Sequence, residues 1–407
     1  MKVDFRKIAL MSLYFYIATL YTMAYNTSLN LISKALFVVT LGFYLLHLAT
    51  QPRINTGKIY LFFLGFGLYS GLSCFWSPDF SVAYSRNLTL LQILALVFLI
   101  YNLIETEQDI DNIFQSFFWG TMVMCGQSVL TSGLGNILRM MIEGRRIGGD
   151  INQENAFGYY CAIAFLIAMY NGIYKKKRIF ILLSIIPLVF SFASGSRKSI
   201  LVVIIAASLI IALKNGKIRI SQIVFALGLC VILFVLLYNI EALQPFFRRF
   251  TAMLEAFDSG DLGSGDNSIA NRMNMISFGW EKFKENILFG YGTEQYNVLY
   301  QMEYGELRPA HNNYIQFLVC FGLVGTSLFY GMYMYVIKWT LKSINKQEKL
   351  AVLVLVVIVC ELINHITAGA FLNKFSYIYL AVAFAYCNLQ KNTEKEALSE
   401  NISERNG

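Results

Sequence analysis

Arg308 and His311 stand three residues apart in "GELRPAHNNYIQFLVCFGLVG" (305–325), directly ahead of a long apolar run. An unperturbed imidazole titrates near about pH 6.5, so it can accept a proton at neutral pH. The chain holds only three histidines, and one placed at the mouth of an apolar segment is the first candidate for a base. Asn312 and Asn313 can cap the helix that begins there and fix the ring. A capping or packing histidine is the alternative. His47, at the inner end of the second apolar run, reads as structural. His365, in "ELINHITAGAF", shares a helix face with Glu361 and Asn364 at i, i+3 and i+4. Ionisable groups inside an apolar run carry a functional reading by default. These serve the acceptor side of a cavity or neutralise an arginine.

Arginines supply the second kind of chemistry. The guanidinium fork matches phosphate oxygens better than an ammonium does. In "SFASGSRKSIL" (191–201) Arg197 and Lys198 occupy a short turn between two apolar runs. They either snorkel to headgroups or grip an anion. In "GRRIGGDINQENAFG" (144–158) Arg145 and Arg146 precede two glycines that let backbone amides approach a ligand. Asn152 and Asn155 can cap the helix that follows, where an anion would meet amides and guanidinium together. Gly-Gly-Asp is equally a plain turn. Arg272 lies in the first turn of an amphipathic helix with Ser268 as N-cap. Its stripe of Met273, Ile276, Trp280, Phe283 and Ile287 reads as packing, and "FGYG" (289–292) ends it. Arg248 and Arg249, in "PFFRRF", suit a headgroup boundary.

Something must position these groups, and composition says what. The chain of 407 residues is 57% apolar and only 14% charged, with a mean hydropathy of +0.54. Soluble domains carry roughly a quarter charged residues, so this one cannot cover its apolar surface in water. It reads as an all-α, polytopic integral membrane protein. About twelve apolar stretches of membrane-spanning length recur. They fall near 8–24, 31–49, 59–76, 88–104, 112–131, 156–174, 179–193, 200–213, 220–240, 314–337, 350–370 and 375–389. The organisation expected is helices 1–9 over 1–240, one large extracytoplasmic loop over 241–313, helices 10–12 over 314–390, and a disordered cytoplasmic tail over 391–407.

Lysine-rich connections such as "KKKR" (175–178) set the inner side. Both termini are then cytoplasmic and His311 is outside. The acidic "ETEQDID" (105–111) is the discordant inner loop. The net charge of +8 reflects topology and not nucleic-acid binding. Outer cations are mainly arginine, against the positive-inside preference, so a ligand should repay them. All seven cysteines fall in spans and show no disulfide framework or metal spacing.

Four segments in this order resemble the O-antigen ligase and Wzy-type polysaccharide polymerase superfamily. They are "RIGGDINQENAFG", "SGSR", "NRMNMISFGWEKFKENILFGYG" and "HNNYIQFLVCFGLVG", with "FWSPDFSVAYSRN" (75–87) as a further similarity. "INQENA" departs from the proline-containing form common at that point. The resemblance implies a helical glycosyltransferase of the C-type class in the bacterial cytoplasmic membrane, working outside it with neither metal nor cofactor. A glycan would pass from an undecaprenyl diphosphate carrier to an acceptor hydroxyl. His311 would activate the acceptor, and Arg197 and Arg272 would hold the diphosphate, with Arg146, Lys198 and Arg308 as further donor contacts. Asn312, Arg145, Glu361 and His365 would support them. The partners implied are the lipid-linked glycan, the acceptor glycan, the bilayer, a flippase and a chain-length regulator. Block polymerisation of repeat units, in O-antigen, capsule or exopolysaccharide synthesis, is the reading adopted. The alternatives are a ligase passing finished polymer to lipid A core or another acceptor, and, from another class, a lipid-linked oligosaccharide flippase. Transporters of that kind usually show internal repeats, and none is visible here.

Overall fold

The computed structural model describes residues 4–22, 30–143, 145–149, 151–216, 221, 222, 224, 228, 267–369 and 371–406, and among these there is no strand. Most of the ninth apolar stretch, the Gly/Ser/Asp-rich section before 267, and Arg248 and Arg249 lie outside the described residues. The helices are α1 (Phe5–Thr22), α2 (Asn30–Thr50), α3 (Lys58–Leu72), α4 (Phe80–Leu103), α5 (Glu107–Ser132), α6 (Leu134–Ile142), α7 (Glu154–Ile173) and α8 (Ile179–Leu183). They continue with α9 (Ile185–Ala193), α10 (Arg197–Ala212), α11 (Asn267–Glu285), α12 (Gln295–Tyr304), α13 (Asn313–Asn345), α14 (Lys349–His365) and α15 (Lys374–Asn406).

Among the described residues five stretches, Asn30–Thr50, Lys58–Trp76, Phe80–Leu103, Glu154–Ile173 and Asn313–Asn345, are long and apolar enough to cross a membrane. That supports an integral membrane protein. The twelve-span arrangement and its single large loop rest on the sequence. The seventh stretch is broken into α8 and α9 at Ser184, three residues before Pro187, as proline's missing N–H allows. Residues 391–406, expected to be disordered, continue α15. Their run of Glu, Lys and Ala favours helix even without a packed face.

The chain divides into two compact units. The first comprises Met1–Ile54, Leu103–Thr251 and Thr340–Cys360. Its centre is α7, most of whose length is buried against α5, α9 and α10. Small residues permit the close approaches. A Cβ on Gly120 would stand 2.7 Å from the Ala18 carbonyl oxygen, and one on Gly158 would overlap the Ser194 hydroxyl. The acidic inner loop has a local explanation. Arg6 pairs with Glu105 at 3.1 Å and with Asp109, Lys175 pairs with Asp111, and Thr106 and Asp109 form a capping box at the start of α5.

The second unit comprises Asn55–Asn102, Ala252–Trp339 and Glu361–Gly407. Phe66, Phe317, Phe321, Phe329 and Phe371 form its aromatic core, with Phe317 and Phe329 centroids 4.3 Å apart. α13 is broken at Gly322 (φ 59°, ψ −161°). The break frees backbone groups, and the strand-like stretch 287–292 takes them up. Tyr291 N donates to Val319 O at 2.9 Å and Gly292 N to Cys320 O at 2.7 Å. Leu323 N and Val324 N donate back to Ile287 O and Leu288 O at 2.8 and 3.1 Å. Tyr69 adds a staple, its hydroxyl donating to Phe289 O and Phe321 O at 2.9 and 2.8 Å.

A buried polar knot ties the next residues to the segment after α3. Thr293 N donates to Ser73 Oγ at 3.1 Å, Asn87 Nδ2 donates to Thr293 Oγ1 at 3.1 Å, and Ser70 Oγ donates to Asn87 Oδ1 at 2.7 Å. Gln295 bonds both backbone groups of Asp79. The glycines of "FGYG" and "FGLVG" and the polar residues of "FWSPDFSVAYSRN" therefore serve one purpose. They dock residues 287–295 onto the helix that His311 heads.

Candidate functional site

In the first unit, Arg146 is the residue that joins two of the motifs. Its Nε donates to Ser194 O at 2.9 Å and its terminal nitrogen to Asn155 Oδ1 at 2.6 Å, with Glu154 at 3.6 Å. Ile147 N donates to Ala193 O at 3.3 Å. Arg146 thus fastens the "RIGGDINQEN" loop to the "SGSR" turn. Gly195 makes this possible twice over. Its backbone is left-handed (φ 62°), and a Cβ there would stand 3.2 Å from the Arg146 stem. Ser196 caps α10, accepting from Ser199 N at 3.4 Å. This places Arg197 and Lys198, both half-buried, in the first turn. Lys198 Nζ lies 5.4 Å from the Tyr159 ring centroid. Arg145 is exposed, 3.7 Å from Glu143.

In the second unit, His311 is half-buried and holds a left-handed backbone (φ 49°). For a non-glycine residue this is an uncommon and mildly strained state, kept where surrounding structure dictates it. Asn312 Oδ1 accepts from Ile315 N at 3.1 Å and so caps α13, while Asn313 Nδ2 donates to the Tyr330 hydroxyl at 3.0 Å. Burial lowers the imidazole pKa below its ordinary value, and the charges of Arg272 and Arg308 lower it further. The ring is therefore a free base at neutral pH. Arg308 is exposed and pairs with Glu306 at 2.6 Å. Arg272 sits half-buried on α11.

The face α11 buries differs from the expected stripe. Met275, Phe278 and Phe283 are inside, whereas Met273, Trp280 and Ile287 are about half exposed. The inner face is set by Phe278 packing edge-on against Tyr296, Tyr300 and Tyr304 of α12. That helix was not anticipated.

Glu361 and His365 are fully buried, with Nε2 and Oε1 3.3 Å apart. Ser376 donates to the Glu361 carboxylate, and the Tyr330 hydroxyl lies 3.3 Å from His365 Nδ1. The pair belongs to the interior of the unit and not to a cavity rim.

Glu294 escaped the sequence reading. It follows "FGYG" closely, has a left-handed backbone (φ 59°), and lies beside Arg86, Asn297 and Gln316. Burial raises its carboxyl pKa, opposed by the Arg86 charge and the two amide donors. The signal that could have found it is an acidic residue in a motif otherwise built of glycine and aromatics.

A family model described as O-antigen ligase, Wzy_C, matches residues 179–330. That interval contains Arg197, Lys198, Arg272, Arg308 and His311. The teichuronic acid biosynthesis protein TuaE of Bacillus subtilis (strain 168) is 24% identical over 381 residues, covering 86% of this chain and 75% of that one. Over these residues the chain is similar to the O-antigen ligase and Wzy-type polymerase superfamily, whose members act in polysaccharide synthesis. Among the described residues no group of His, Cys, Asp and Glu could hold a metal ion.

Proposed function

We propose that this chain is a polysaccharide polymerase that transfers glycan from undecaprenyl diphosphate-linked repeat units to a hydroxyl of another repeat unit, on the outer side of the cytoplasmic membrane. The observation that carries the reading is His311, held in a strained turn at the head of α13, where burial and then the charges of Arg272 and Arg308 lower its imidazole pKa.

The chemistry follows from those groups. The imidazole takes the proton of the acceptor hydroxyl as that oxygen attacks the anomeric carbon. The bond from that carbon to the diphosphate oxygen breaks, and the carrier leaves as undecaprenyl diphosphate. Arg272 stabilises the charge that develops on the leaving group. In the first unit Arg197 is, by its motif, a further candidate for phosphate contact, and Arg146 fixes the turn that carries it. Cleavage of the activated bond between the glycan and its diphosphate supplies the free energy, so no nucleotide is needed outside the cell.

The test is His311→Ala in a host lacking its own copy, with membrane levels matched. Polymer length on a gel should collapse to single repeat units; an unchanged ladder would remove the base assignment. A ligase reading has its own support, since the matching family model is described as O-antigen ligase. Polymer accumulating on the lipid carrier, unattached to its final acceptor, would favour it.

A further inference from the structure

Two amide oxygens in the second unit, Asn297 Oδ1 and Gln316 Oε1, are buried with no hydrogen-bond partner among the described residues. They share a cause. Asn297 Nδ2 donates to Glu294 Oε1 at 2.8 Å, and Gln316 Nε2 donates to Glu294 Oε2 at 3.4 Å. Both carboxyl oxygens are thus occupied as acceptors, and each amide presents its nitrogen to them. The amide oxygens are turned away and left with nothing to accept from. A buried acceptor in that state loses its hydration without compensation, which calls for an explanation.

Further observations converge on the same three residues. Glu294 adopts the left-handed region without being glycine, and its side chain does not cap α12. Strain of this sort is retained where a side chain must be aimed. Gln316 is only 4% exposed, whereas Glu294 and Asn297 are half-buried and reachable from outside. Gly369, exposed, faces Gln316 Oε1; a Cβ there would stand 3.3 Å from that oxygen. At 369, therefore, no side chain stands beside that oxygen.

We propose that Glu294, Asn297 and Gln316 form a subsite for one sugar residue of the glycan, an assignment that rests on the glycosyl-transfer reading above. The donor set fixes the ligand class. Carboxylate and amide oxygens need hydroxyl donors, which excludes a phosphate. Several acceptor oxygens side by side suit the hydroxyls spread around a pyranose ring. Gln316 lies in the first turns of the helix headed by His311, with Gln316 N donating to Asn312 O at 3.0 Å. The subsite is therefore built into the element that carries the base.

The experiment uses the purified full chain and two probes. One is the lipid-linked repeat unit; the other is the same oligosaccharide released from its carrier, which lacks the diphosphate and can act only as acceptor. Gln316→Met and Asn297→Leu should each raise KM for a glycan substrate about five-fold, the effect of one lost hydrogen bond. Gly369→Ala should do the same with every hydrogen-bonding group retained, which keeps the test alive if a polar variant fails to fold. A rise confined to the released oligosaccharide places the sugar on the acceptor side, and a rise confined to the lipid-linked unit places it on the donor side. KM values within two-fold of wild type for both probes in all three variants would overturn the subsite, leaving the oxygens to buried water. Absence of transfer by the wild-type protein would instead defeat the glycosyl-transfer reading itself.

Discussion

Gly290 and Gly322 meet backbone to backbone: a Cβ on Gly290 would stand 2.5 Å from the amide nitrogen of Gly322, and one on Gly322 would stand 2.3 Å from the Leu288 carbonyl oxygen. Both have positive φ. The contact ties the segment after α11 to the helix bearing His311, so its loss should disturb the site from a distance. For Gly322→Ala the backbone alone (φ 59°, ψ −161°), a region essentially confined to glycine, costs roughly 1–3 kcal/mol, before the overlap is relieved. A thermal shift assay in detergent should show the melting temperature lowered by several degrees. Gly65→Ala, with nothing within 4 Å of its Cβ, is the matched control and should leave it unlowered, since alanine is the better helix former.

The arginines beside His311 should be visible in a pH profile. A base must be unprotonated to work, so activity rises with pH through the imidazole pKa and then levels. Burial, Arg272 and Arg308 all lower that pKa, which puts the acidic limb below the range of a free imidazole. Arg308→Gln removes one positive neighbour and should move the limb upward. Arg272→Gln should move it further, on top of any loss of rate. A limb at the same pH in all three proteins would mean that another group sets it.

Charge alone should not satisfy the "SGSR" turn. Arg197→Lys keeps the cation but loses the two-pronged fork, and a lost charge-assisted hydrogen bond is worth about ten-fold or more in rate. Transfer activity at matched membrane levels checks this. Arg146→Lys should act differently: its guanidinium is committed to Ser194 and Asn155, so the variant should lose stability along with activity.

The Glu361–His365 pair makes a prediction about amount rather than chemistry. Truncating a fully buried side chain to alanine leaves a cavity and typically costs about 2–5 kcal/mol. His365→Ala should therefore lower the level of folded protein in the membrane, measured by fluorescence-detected size exclusion. The activity per folded molecule should stay closer to wild type than in any His311 variant.

The apolar elements were legible because their signal is long and one-sided: α2, α3, α4, α7 and α13 follow runs that little else explains. His311 stood out by rarity and position. The capping role of Asn312 followed from its place ahead of an apolar run, as the Ile315 hydrogen bond bears out. The break at Gly322 was not legible, because an isolated glycine in an apolar run reads the same whether or not another chain segment inserts there. The buried face of α11 was misassigned for a related reason. Met273, Ile276 and Trp280 form as good a stripe as Met275, Phe278 and Phe283, and only the tyrosines of α12 decide between them. Glu294 and Gln316 could not be paired from sequence, since 22 positions separate them.

The most direct test uses the purified chain with lipid-linked repeat units taken from cells unable to polymerise them, in the presence of a chelator. The wild-type protein should build a ladder of longer glycans and release undecaprenyl diphosphate in step, while His311→Ala, equally well folded, should build none. A ladder from the His311→Ala protein, or no ladder from the wild type, would contradict the account.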